Sequence, residues 1–155
     1  MVSVDVPTAV IAVLISVILG PFVNLLVEEV QTWRERQREN EDAVQQWREK
    51  AIELAKDAAL TWETQYENQD VSTHEAQREW GQTVHSNLRT TKTKMHNRIR
   101  ASPPDLDDDT EGKLIELLTH CQRVENTSWS TDEFQQHGED MKQCAEDVVD
   151  TLRTA

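Results

Sequence analysis

Glycine, proline and cysteine are scarce in this chain, and each scarcity closes off a class of protein. The four glycines stand alone at 20, 81, 112 and 138, so there is no glycine-rich loop to cradle a phosphate. Two cysteines in 155 residues, Cys121 and Cys144, make no disulfide framework and no C-x-x-C pair. No stretch alternates apolar and polar residues as a half-buried strand would, and nothing repeats internally. No serine or cysteine sits in a recognisable nucleophile motif. The expectation is an all-α, non-enzymatic chain with no cofactor and no metal site.

Positive charge is also short. Sixteen basic residues face 29 acidic ones, for a net charge of −13. That balance keeps a protein soluble but makes its compact state repel itself, and it resembles the composition of proteins that work in molar salt. Apolar residues are concentrated in one place. From Val6 to Val27 the chain runs 22 residues without a charge. At about 1.5 Å per helical residue this reaches roughly 33 Å, enough for a hydrocarbon core of about 30 Å. Gly20-Pro21 falls within the run and predicts a kink. The absence of Lys or Arg before the run and of a small-x-small site after it argues against a cleaved leader. Arg34, Arg36 and Arg38 follow closely, so the positive-inside rule places the N-terminus outside and the remainder in the cytoplasm. Trp33 fits either a headgroup-level indole or a helix-seam residue.

Beyond the run, punctuation divides the chain into four helices. Val30, Trp33, Gln37, Asn40, Val44, Trp47, Ala51, Leu54 and Ala58 keep a 3-4 spacing. Residues 34–42 are polar all round, which favours a solvated stalk over a homo-oligomeric coiled coil with Gln37 and Asn40 in its seam. Ser72 and Glu75 form a capping box for a second helix bearing Ala76, Trp80, Val84, Leu88, Met95 and Ile99, closed by Pro103-Pro104. A third helix, about 109–124, carries Leu114, Leu117, Leu118, Cys121 and Val124. Ser130 and Glu133 predict the start of a fourth, with Trp129 stapled to Phe134 and a face of Phe134, Gly138, Met141, Ala145, Val148 and Leu152.

Four constellations invite chemistry. Asp105 to Glu116 places acids at positions one, three, five and twelve of a calcium loop, but Thr110 occupies the turn position that needs glycine. A helix N-terminus gathering carboxylates is the better explanation. His74, His85 and His96 recur every eleven residues, about 16 Å apart on a helix, too far to share an ion. With a hairpin centred near Ser128, Cys121 faces residue 135, nine residues short of Cys144, so neither a disulfide nor a zinc site with His120 and His137 is expected. Residues 80–104 contain no acid, yet hold Arg89, Lys92, Lys94, Arg98 and Arg100. This stripe could meet phosphates or anionic headgroups, or dock between its acidic neighbours. The missing aromatics and a Debye length of roughly 3 Å at molar salt favour docking and disfavour nucleic acid. Asn126-Thr-Ser128 is a glycosylation sequon, relevant only if the domain faced outward.

The sequence thus predicts a transmembrane anchor over 1–28, a polar helical stalk over 29–43, and an acidic antiparallel bundle of about four helices over 44–155. The expected role is a single-pass, membrane-anchored adaptor or scaffold that binds another protein at the cytoplasmic face. A membrane-tethered binder of nucleic acid or anionic lipid, using Arg89, Lys92, Lys94, Arg98 and Arg100, is the competing assignment.

Overall fold

A computed structural model describes the backbone of residues 8–66 and 73–154, and the side chains of 29–64 and 73–154. Every described element is helical: α1 (Thr8–Tyr66), α2 (His74–Arg100), α3 (Asp108–Asn126) and α4 (Asp132–Thr154), with no strand among the described residues. The chain divides into two units, 1–42 and 43–155. In the first, side chains 29–42 are all exposed, Val30 and Trp33 included. Among the described residues no helix is long and apolar enough to cross a membrane. The side chains of the apolar run 6–27, and with them the expected span, its kink and its orientation, lie outside the described residues.

The second unit is a four-helix bundle whose burial follows the 3-4 spacing of each helix. On α1 the buried positions are Trp47, Ala51, Leu54, Ala55, Ala58 and Trp62. On α2 the expected stripe is filled at its gap by Thr91, 5% exposed. All six expected residues of α4 are buried, joined by Val149. Neighbouring helices run antiparallel. Trp47 near the start of the α1 segment donates from Nε1 to the carbonyl of Arg98 near the end of α2, at 2.9 Å. Ser102, just after α2, donates to Glu111 at the start of α3, at 2.8 Å. At the other end, Trp62, Trp80, Phe134 and His85 form an aromatic knot, with ring centroids 5.4–5.9 Å apart in tilted or edge-on pairs. Such geometry suits ring quadrupoles and adds about 0.5–1.5 kcal/mol per pair beyond area burial.

Two glycines serve as sockets for tryptophan rings. A Cβ on Gly138 would lie 2.1 Å from two carbons of Trp62, and one on Gly81 would lie 2.4 Å from the Cβ of Trp129. None of the described glycines has a positive φ, so the fold uses Gly81 and Gly138 for missing volume and not for backbone freedom.

The caps of α2 and α4 depart from the sequence expectation, while α3 opens among carboxylates as expected. Thr73, not Ser72, caps α2: its side chain accepts from the Ala76 amide at 3.2 Å, and Ser72 lies outside the described residues. α3 begins one residue early because Asp107 accepts from the Thr110 amide at 2.7 Å. The carboxylate cluster at 105–111 therefore includes the cap of a helix N-terminus, and Thr110 is buried beneath it. At α4 the expected box does not form. The Ser130 hydroxyl meets that of Ser128 at 3.0 Å, Thr131 donates to the Ser128 carbonyl at 2.8 Å, and the helix opens at Asp132. Trp129 packs over Gly81 and edge-on to His74 at 5.4 Å, in place of the staple to Phe134. Adjacent hydroxyl residues compete for one cap, and the loop's own hydrogen bonds decide between them.

Candidate functional site

The five cations of the basic stripe do not share one face. Arg89 and Lys92, three residues apart, both turn toward α3 and grip Glu125; the Arg89 Nε–Oε1 distance is 3.0 Å and Lys92 takes Oε2. The Glu125 side chain is only 11% exposed. The Lys92 ammonium, followed by the Arg89 guanidinium, holds its carboxyl below the usual carboxylate range. Arg98 turns the other way. Its Nη2 donates to the Gln46 carbonyl of α1 at 3.0 Å, and its guanidinium carbon lies 5.8 Å from the centre of the Trp47 ring. Lys94 lines an open cleft with Lys50, Glu53 and Asp57, while Arg100 is exposed. The structure thus brings together Arg89 and Lys92 around one acid, sets Lys94 and Arg98 along one cleft against α1, and leaves Arg100 exposed.

The histidines at eleven-residue spacing likewise part company. His74 lies against Trp129, His85 stands edge-on to Phe134, and His96 is exposed.

A groove between α1 and α4 has no counterpart in the sequence reading. Its volume is about 490 Å³, and its floor is Ala55, Ala59, Leu60, Ala145 and Val149. Leu60 stands 54% exposed. The rim carries Asp57, Glu63, Glu146 and Asp150 against Lys56 and Arg153. Lys142 anchors Glu63 at 3.0 Å, fixing one edge. An apolar floor within a net acidic rim can seat an apolar side chain carried on a segment with basic flanks.

The α3–α4 hairpin also differs from its expected register. Residues 129–131 add a turn before α4 begins, so Cys144 comes level with residues 116–120 of α3 and not with 112. Both cysteines remain free, as expected. The same shift, however, gathers Glu116, His120 and Cys144, whose ligand-capable atoms all lie within 4.8 Å of one another. His120 and Cys144 therefore meet, contrary to expectation, because the hairpin is centred later than Ser128. His137 is not part of this group. Burial raises both thiols, Cys121 to about 12 and Cys144 to about 11; at Cys144 the carboxylates of Glu116 and Asp147 add to the effect. Neither is a ready nucleophile in this state. No family model, curated protein or solved structure matches the chain.

Proposed function

We propose that this chain is a non-enzymatic adaptor, held at the cell membrane by residues 6–27 and binding another protein through the bundle of residues 44–155 on the cytoplasmic side. The observation that carries the reading is the α1–α4 groove, where exposed Leu60 joins an alanine-rich floor and four acids stand against two bases at the rim. The partner it fits is an amphipathic helix offering one apolar anchor and basic flanks. In molar salt the anchor would supply most of the affinity, because screening confines the rim charges to direct contacts.

The competing assignment to nucleic acid or anionic lipid is weakened by the pairing of Arg89 and Lys92 with Glu125 and by the docking of Arg98 on α1. A photo-crosslinking side chain at Leu60, compared in intact membranes with one at the exposed Thr119 of α3, tests the proposal. A discrete protein adduct from position 60, absent at 119 and lost when Ala59→Arg fills the groove, supports it. Equal labelling at both positions, or labelling of lipid alone, refutes it.

A further inference from the structure

Glu116 and His120 are four residues apart on α3 and so occupy one face, a turn from each other, with Cys144 of α4 opposite them. Around the trio lies an open cavity of about 280 Å³ whose other walls include Lys113, Asp140, Gln143 and Asp147. Glu116 is exposed and His120 half-buried, while Cys144 is half-buried at the edge of the core that α3 and α4 build from Leu114, Leu117, Cys121 and Val124 against Met141, Ala145 and Val148. Glu116 meets Lys113 within its own helix at 3.4 Å, a surface pair of little strength that an incoming cation would displace.

We propose that Glu116, His120 and Cys144 form a binding site for a divalent transition metal of the zinc type, clipping α3 to α4. The donor set carries the choice of ion. A thiolate and an imidazole select a borderline-soft cation over magnesium or calcium, and the carboxylate adds a third donor of a type that zinc accepts. Donors about 2.0–2.3 Å from a tetrahedral ion sit roughly 3.5 Å from each other, so the trio needs to close by about an ångström, within the reach of side-chain rotation. Asp140 and Asp147 are the carboxylates at hand for the fourth position, and water is the alternative. On binding, the Cys144 sulfur exchanges its proton for the metal, and the proton leaves to solvent. The cavity holds three acids against one lysine, so a dication relieves repulsion that the apo bundle must carry.

The test uses the untagged full chain in mild detergent, reduced and stripped of metal, with cobalt(II) as probe. One equivalent should produce a thiolate-to-cobalt charge-transfer band in the near ultraviolet and the visible bands of a four-coordinate ion, both erased by one equivalent of zinc. Cys121→Ala should keep the band and Cys144→Ser should lose it. Glu116→Gln, at an exposed position that the fold tolerates, and His120→Ala should each weaken zinc binding about ten-fold or more, with the helical circular dichroism signal unchanged. A wild-type chain without the band overturns the proposal, as does a band that survives Cys144→Ser. Unaltered zinc affinity in folded Glu116→Gln and His120→Ala overturns it too, by reducing the site to a lone thiol.

Discussion

Replacing glycine by alanine should have opposite signs at two positions of this bundle, and the difference can be worked from the geometry. At Gly138 the new Cβ would fall 2.1 Å from the Trp62 ring, 0.9 Å inside the 3.0 Å below which something must move. The ring has little freedom to yield. It is 1% exposed, its Nε1 donates to Glu139 at 3.2 Å, and it abuts Trp80 and Phe134. Overpacking of this kind costs about 1–3 kcal/mol and sometimes more, and a clash with a wedged indole belongs at the upper end. Alanine returns at most about 1 kcal/mol through helix propensity, so Gly138→Ala should lose about 2 kcal/mol net. At Gly112, exposed within α3, a Cβ meets nothing within 4 Å. There only the propensity acts, and Gly112→Ala should gain about 0.5–1 kcal/mol. Denaturant midpoints of the full chain in mild detergent and molar salt, read by far-ultraviolet circular dichroism, separate the two. In a Trp62→Leu background the cost of Gly138→Ala should shrink by more than about 1 kcal/mol, because the partner in the clash is gone. A Gly138→Ala midpoint equal to or above the parent's, or strict additivity with Trp62→Leu, would refute the socket.

Four further outcomes can be checked with similar means. Asp107→Ala should lower stability by roughly 0.5–2 kcal/mol through loss of the α3 cap, while Asp108→Ala, inside the helix, should cost less in the same midpoint assay. The lowered carboxyl of Glu125 contributes stability that is complete above its unfolded value and lost as pH falls through its folded one. Glu125→Gln should therefore be less stable than the parent near neutral pH by about 1–2 kcal/mol, and the two stability curves should converge in acid; parallel curves would disprove the grip on Lys92 and Arg89. Ser128→Ala and Ser130→Ala should shift the midpoint by the same small amount, since the two hydroxyls bond each other; a large loss at Ser130 alone would restore it as the α4 cap. The full chain should stay with membranes through alkaline carbonate extraction while a fragment beginning near Glu39 is released, and full-length protein in the supernatant would remove the anchor.

The burial pattern was readable because it depends on local periodicity. Trp47, Ala51, Leu54 and Ala58, or Phe134, Gly138, Met141 and Ala145, repeat every three or four residues whatever their neighbours do. Helix starts were readable only to within a residue. Ser72 and Thr73, or Ser130 and Thr131, carry equivalent hydroxyls, and the choice between them rests on loop hydrogen bonds absent from any pattern. The places where chemistry could occur were not readable at all. Lys56, Asp57 and Glu63 look like an ordinary solvated face until α4 is laid beside them. Whether Cys144 meets His120 depends on where a three-residue turn sets the hairpin, and an error there of a few residues moves a thiol by roughly 9 Å, or about six residues of helical rise.

The alanine floor of the groove has a consequence for how anything binds there. Ala55, Ala59 and Ala145 have no rotamers to freeze, and of the five floor residues only Leu60 and Val149 have a χ angle to lose. Ordering a rotamer-rich side chain at an interface costs about 0.5–1.5 kcal/mol each, and this floor avoids nearly all of that cost. The floor's shape is set largely by main chains that the core already holds, so a partner docking there would meet nearly the same floor at every encounter. Association should then follow a single exponential whose rate rises linearly with partner concentration, with no slow isomerisation on the bundle's side.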